Sequence, residues 1–560
     1  MLREELLRNL QANSPDVLIV GAGINGSGTF RDLALNGVNV LLIDRADFCS
    51  GVSAASSHMA HGGIRYLENG EFRLVREAVQ ERNRMIENAP HMVRPLQTTI
   101  PIFKIFSGLL NAPLKFLGWL DKPSERGALV IKIGLMAYDA FTRKQKTVPG
   151  HQFLGRKKAL QKFPGMNENI LFTATYFDGS ILSPERLALE IVLDGEAEGD
   201  HASALNYVSL QKINDGVVIL RDELSERIIK VQPRLLINAA GPWIDQANNR
   251  LGLLTQYIGG TKGSHLLLDN TELHKAIGSH EIFFENEDGR IVLIFPLLDK
   301  VLVGTSDLPI TNVDEARCTP GEIDYFISML ARVFPDILVK RSQVVFQFSG
   351  VRPLPFSQVK NTGQISRDHS ILEDQVGDLP VLSLVGGKWT SYRAFSEQVT
   401  NRALDYLDLH RKASTCNLPI AGGKEYPEDE RSKKEWLEAF EQDSGLSRNR
   451  VELLFRRYGT RSKQVAAYLL AGNDSSLIYW PNFTKREIHW LINNEKIVHL
   501  DDLLLRRTLL AYLGELSLPL IRELSEVIGS ELKWDAASIK AEVNRSLEIL
   551  QDKHGVTFKA

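Results

Sequence analysis

The stretch Val17-Leu18-Ile19-Val20-Gly21-Ala22-Gly23-Ile24-Asn25-Gly26-Ser27-Gly28 is an apolar strand running straight into spaced glycines. In that order Gly21 permits a tight turn and Gly23 lets the backbone approach a pyrophosphate. Gly26 lets the next helix pack on the strand, so that the phosphates meet the helix's positive end. A second apolar run, Val38 to Ile43, delivers Asp44. It lies about 20 residues past the glycines, where an acid bonds adenosine ribose hydroxyls. Strand, turn, helix, strand and terminal acid in sequence predict a site for FAD or NAD, on much firmer ground than GxGxxG alone.

At 560 residues the chain has room for two to four domains, and its 43% hydrophobic and 24% charged residues are those of a globular protein. The net charge of -3 gives no general reason to expect nucleic acid, and no basic stripe with interleaved aromatics appears. Cys49, Cys318 and Cys416 are widely separated and form no CxxC, which suits a reducing compartment and offers no thiolate metal site. The start, Met1-Leu2-Arg3-Glu4-Glu5-Leu6, lacks the basic and apolar regions of a secretion signal, so a cytoplasmic body is expected. No apolar run reaches the roughly 20 residues needed to span a bilayer. The segment 100–141, however, interleaves Phe103, Phe106, Leu109, Phe116 and Trp119 with Lys104, Lys115, Lys122 and Lys132. That mixture suits a segment lying on a membrane surface; core helices or a partner interface are the alternatives.

Two more strands end in glycines. Leu235 to Asn238 runs into Ala239-Ala240-Gly241-Pro242-Trp243, and Val381 to Val385 into Gly386-Gly387-Lys388-Trp389-Thr390. Three such junctions predict an α/β fold whose Rossmann-like nucleotide domain is discontinuous, at 1–89, 178–260 and 349–415, with a mixed-sheet substrate domain inserted at 90–177 and 261–348. Ser183-Pro184-Glu185 reads as N-cap, first-turn proline and first-turn acid of a helix from Pro184 to about Glu198. The turn-rich Ala421 to Pro427 reads as a linker, and residues 424–560 carry helical periodicity almost throughout, predicting a separate all-helical domain.

Joined to the glycine motif, Ser56-Ser57-His58-Met59-Ala60-His61-Gly62-Gly63-Ile64-Arg65-Tyr66-Leu67 resembles the FAD-dependent glycerol-3-phosphate dehydrogenases and oxidases. Further blocks similar to that family follow in order: Tyr138-Asp139, Asn238 to Trp243, Lys262-Gly263-Ser264-His265, Gly304-Thr305-Ser306-Asp307, Ser349 to Leu354, Gly386 to Arg393, and Asp502 to Thr508. The resemblance implies oxidation of sn-glycerol 3-phosphate to dihydroxyacetone phosphate. It puts FAD on Gly21, Gly23, Gly26, Asp44, Ser56, Ser57, Gly241, Gly387 and Thr390, and substrate on Arg65, Tyr66, Arg352 and Lys388. The chemistry agrees: a phosphate dianion favours bidentate guanidinium with further donors, although each arginine could instead serve an ion pair. Loss of a hydride from C2 leaves a hydroxyl proton needing a neutral base, for which His265 is the first candidate and His61 the second. Lys388 would stabilise developing negative charge.

The expected electron acceptor is the membrane quinone pool, reached from a peripheral position on the inner face of the cell membrane. An oxygen-using oxidase is the alternative, as is a related flavoenzyme for another polyol phosphate or hydroxy acid. The second alternative gains weight from departures: His58 replaces a common lysine, Ser306 a threonine, and Leu182-Ser183-Pro184-Glu185-Arg186 the frequent Asp-Asp-Ala-Arg. The helical domain would cap the nucleotide domain or serve a homodimer.

Overall fold

The fold is described from a computed structural model, over residues 3–64, 72–105, 127–142, 147–285, 291–357 and 368–558. Arg65 and Tyr66 lie outside these residues, as does most of the expected membrane-facing segment.

Val17–Val20 forms the centre of a six-stranded sheet. Leu235–Asn238 and Val40–Ile43 flank it in parallel, Ala202–Leu205 lies beyond one and Leu379–Val385 beyond the other, and Ser370–Val376 adds an antiparallel edge. Alternation along Val17–Val20 shows why its strands are apolar at every position. Val17 and Ile19 enter a core made by the helices Ile24–Leu35, Pro184–Glu196 and Tyr392–Leu407, whereas Leu18 and Val20 enter a second core under a three-stranded sheet and the helix Arg3–Ala12. A parallel sheet buried on both faces leaves no side for polar residues.

Among the described residues the second sheet has ten strands. Thr261–Leu268 lies within it, paired with Lys300–Gly304 on one side and Val344–Arg352 on another. Residues 349–352 thus belong to this sheet, contrary to the expected limit at 349, because the ladder from Leu268 down to Thr261 keeps pairing until Arg352. Likewise, Phe172–Ile181 pairs with Val93–Ile102 along its whole length, across the expected limit at 178.

The C-terminal residues are helical, as their periodicity predicts, but they are not set apart. Leu454, Leu491, Leu503 and Leu524 share one continuous core with Leu267, Leu293, Phe346 and Phe348 of the second sheet. Ala421, Gly422 and Gly423, expected in a linker, are buried, and the Ile420 amide donates to the Asn88 carbonyl (2.8 Å). Small residues there serve close packing rather than flexibility. Asp47 fastens the junction further: buried, it accepts from Arg506 Nε (2.5 Å), Arg507 Nη1 and Nη2 (2.6 and 2.9 Å) and Asn206 Nδ2 (3.0 Å).

The helix Pro184–Glu196 starts where expected, yet the Ser183 hydroxyl makes no cap bond and instead donates to Glu185 (3.4 Å). Tyr512 also donates to the Glu185 carboxylate (2.7 Å), and the His58 ring meets the Tyr512 ring edge-on at 5.6 Å. Two of the sequence departures therefore meet on one tyrosine. His58 donates from Nδ1 to the Ile181 carbonyl (3.1 Å), and burial pushes it down to about 4, so it brings no positive charge where a lysine would.

Burial pushes the Glu185 carboxyl up to about 7. Between its ordinary value and 7 the folded chain holds a proton that the unfolded chain has released, so stability falls as pH rises through this window and the loss is complete above it. Glu185→Gln is expected to match the native protein near pH 4.5 and to exceed it by up to about 3 kcal/mol above pH 7 in denaturant titrations.

Candidate active site

The Gly21 turn closes because its next neighbour is backbone. A Cβ on Gly21, at φ +105°, would lie 2.6 Å from the Ala239 carbonyl oxygen, and one on Gly26 would lie 1.9 Å from the Gly21 oxygen. Bare backbone at both positions sets the helix Ile24–Leu35 hard against the strand end and aims its N-terminus into a cavity of about 1560 Å³. That is well above the roughly 300–1,000 Å³ of most small-molecule pockets.

Gly21, Gly23, Asp44, Ser56, Ser57, His61, Gly241, His265, Arg352, Gly387, Lys388 and Thr390 all line this one cavity. Gly26 is packed beneath the turn instead. Asp44 accepts from the Ala22 and Ala46 amides (2.8 and 3.0 Å), and burial, opposed by these bonds, pushes it up to about 6.

His265 stands on Thr261–Leu268, stacked on Phe348 at 4.8 Å, with Nε2 2.8 Å from Ser57 Oγ. Burial, then the positive charge of Arg352, push it down to about 3, so the ring is neutral. Arg352, at the end of Val344–Arg352, donates to Asp307 (2.9 Å), Thr305 Oγ1 (2.9 Å) and the Ser306 carbonyl (3.0 Å). Glycines clear space for both: a Cβ on Gly304 would lie 2.1 Å from the His265 ring, and one on Gly263 2.4 Å from the Arg352 guanidinium. Arg352 thus does make an ion pair, as a structural arginine would, while its side chain stays 22% exposed and lines the cavity. His61 lines the same cavity, its amide donating to Thr390 Oγ1 (2.9 Å).

Several contributors escape the sequence reading. Ser53 Oγ accepts from the Ile24 amide (3.0 Å) at the glycine helix, and the Ser53 carbonyl accepts from Trp389 (2.9 Å). Asn25 donates to the Gly386 carbonyl (3.1 Å), and its Oδ1 is buried beside the cavity with no hydrogen-bond partner among the described residues, an acceptor suited to a ligand. Glu322 accepts from Lys262 Nζ (2.7 Å), Ser264 (2.8 Å) and Ser306 (2.6 Å), fixing the strand that carries His265 from behind. Its signal was present: Thr319 and Glu322 have the spacing of a capping box, which the structure contains. At the cavity mouth, Asp314 accepts from Arg45 (3.0 Å) and Trp243 (2.9 Å), joining segments far apart in sequence.

The glycine-bounded helix terminus, the size of the cavity and the unpartnered acceptor fit a dinucleotide. Comparison with known proteins gives the class. A family model described as "FAD dependent oxidoreductase" matches residues 16–393, and the chain belongs to that family, with FAD as its cofactor. A second, "C-terminal domain of alpha-glycerophosphate oxidase", matches residues 413–539. Within the class it is a member of the glycerol-3-phosphate dehydrogenase and oxidase family: it is 34% identical over 526 residues to the glycerol-3-phosphate dehydrogenase of Synechocystis sp., covering 90% of each chain. It is 29% identical to the D-erythritol 1-phosphate dehydrogenase of Brucella abortus, covering 88% of this chain and 94% of that one. The fold matches the glycerol-3-phosphate dehydrogenase from Bacillus halodurans, solved with FAD, at a TM-score of 0.76, 22% identity, and 98% and 97% coverage of the two chains.

Gly26→Val is expected to yield folded protein that purifies without flavin absorbance, since its branched side chain would push the helix off the strand end. Retention of one flavin per chain would contradict the role given to that contact.

Proposed function

We propose that this protein oxidises the secondary hydroxyl of sn-glycerol 3-phosphate to dihydroxyacetone phosphate. The single observation carrying this reading is that a neutral, buried His265 and the guanidinium of Arg352 line one cavity together with Lys388. Bound FAD supplies the two-electron acceptor. Arg352, together with Arg65 and Tyr66, binds the phosphate; Lys388 faces the developing negative charge; and His265 takes the hydroxyl proton, with His61 as the second candidate for that role. A phosphate dianion at Arg352 offsets the positive charge that depresses His265, so the base gains strength when substrate is present.

For the acceptor we favour membrane quinone over oxygen. Leu129, Ile133 and Met136 are 40%, 60% and 58% exposed on the helix Ala128–Thr142, at spacings that put them on one face, and Ile105 is 42% exposed. An apolar stripe of this kind suits a lipid surface. Among the described residues no helix is long and apolar enough to cross a membrane, so the attachment proposed is peripheral, at the inner face of the cell membrane.

Anaerobic addition of sn-glycerol 3-phosphate is expected to bleach the bound flavin; a spectrum that stays oxidised refutes the substrate. Arg352→Ala should lower kcat/KM at least about a hundredfold, mostly through KM. In a third experiment, the holoenzyme should sediment with vesicles and reduce a quinone analogue faster than it forms peroxide. Ile133→Ser/Met136→Ser should lose the sedimentation while keeping turnover with a soluble dye. Peroxide formation outpacing quinone reduction would favour the oxidase reading.

A further inference from the structure

The Tyr138-Asp139 pair stands apart from every role assigned so far. Tyr138 is 1% exposed on the helix Ala128–Thr142, and its hydroxyl donates to Asp178 Oδ1 (2.6 Å). That same oxygen accepts from the Gly62 amide (2.9 Å). Arg82, fully buried, donates from Nη1 to the Tyr138 hydroxyl (2.7 Å), to the Phe177 carbonyl (2.7 Å) and, more distantly, to Asp178 (3.4 Å), while Asn83 Oδ1 accepts from its Nε and Nη2 (3.0 and 2.7 Å). Donation therefore runs one way, from Arg82 through Tyr138 to Asp178, where it meets the Gly62 amide. Burial, and next the Asp178 charge, hold the Tyr138 phenol far above its ordinary value, so it stays a donor.

What this chain holds is the wall of the active site. His61, Gly63 and Asp178 line the cavity, and the His61 amide is fastened to Thr390, two residues from Lys388. Gly62 has no room for a side chain, since a Cβ there would lie 2.1 Å from the Tyr138 oxygen. The strip His61-Gly62-Gly63 is thus pressed between Thr390 on one side and the Tyr138–Asp178 pair on the other. Asp139 secures the helix from its far side by accepting from the His151 amide and ring (3.1 and 2.7 Å).

We propose that Tyr138, acting through Asp178, is a positioning residue that sets the His61-Gly62-Gly63 wall for the phosphorylated substrate. It touches no reacting atom itself. The inference rests on the function proposed above, because it concerns how that substrate is seated.

Tyr138→Phe keeps the ring and removes the hydrogen bond that the Tyr138 hydroxyl gives Asp178. In the holoenzyme, kcat/KM for sn-glycerol 3-phosphate is expected to fall at least tenfold, chiefly through KM. The dissociation constant of dihydroxyacetone phosphate, read from the perturbed flavin absorbance, should rise in parallel, with flavin content unchanged. Asp178→Asn, which keeps an acceptor for both the Gly62 amide and the phenol, should restore or retain most of the affinity that Asp178→Ala loses. Unchanged KM and product affinity per bound flavin in Tyr138→Phe overturns the proposal. So does equal behaviour of the two Asp178 variants, and so does a loss confined to flavin content or thermal midpoint. If the native flavin is not reduced by sn-glycerol 3-phosphate, the substrate reading fails instead, and that outcome is separate from these.

Discussion

The buried carboxylate of Asp47 fastens the C-terminal helices to the nucleotide sheet beside the cavity. It lies three residues beyond Asp44, on the loop leaving the nucleotide sheet, and takes three bonds from Arg506 and Arg507 of the C-terminal helices. Two buried guanidiniums need such an acceptor, because removing one partner of a buried pair costs about 3–5 kcal/mol. Asp501 and Asp502 share Arg506, and Tyr207 donates to Asp502 (2.6 Å), so the charge is spread over a network rather than a single bond. The helices cannot drift from the sheet without stranding these groups. The loop bearing Ser53, Ser56 and Ser57 leaves the same anchor and so inherits its position.

Electrostatics inside the cavity oppose one another in a useful way. Arg352 lends the cavity a positive charge, and after burial that same charge weakens His265 as a proton acceptor. Asp307 tempers the guanidinium at 2.9 Å and keeps it aimed along the wall. Neutral Ser57 and Phe348 contact the imidazole directly, and burial lowers its basicity more than the Arg352 charge does.

Much of the nucleotide domain is legible in the sequence because its logic is local. Val17 to Gly28 contains its own strand, turn and helix, and a glycine that must approach backbone leaves a gap in an otherwise apolar pattern. The residues gathered in the cavity were legible as separate blocks, and the resemblance supplied what joins them. What the chain does not show is contact between distant pieces. Asp307 reads only as the end of a Gly-Thr-Ser-Asp block until Arg352 is seen beside it. The linker reading of Ala421 to Pro427 failed because small residues suit both a flexible turn and a tightly packed one, and only the neighbouring Asn88 and Tyr458 backbone decides. The strand through Ser349 to Arg352 belongs with the second sheet although Pro353 follows it directly, because pairing with Thr261 carries it on.

The order of strands in the nucleotide sheet also bears on how the protein is made. Val17–Val20 emerges from the ribosome first, but its neighbour Leu235–Asn238 follows much later, and the strand beyond that ends only at Val385. The floor beneath the glycine turn, Ala239, is therefore missing while the whole first segment is already outside. Contacts so remote in sequence are slow to form. The nascent chain must keep its first apolar strands from associating with other chains until the later ones arrive, and the flavin has no complete cleft to enter before the final glycine junction has been synthesised.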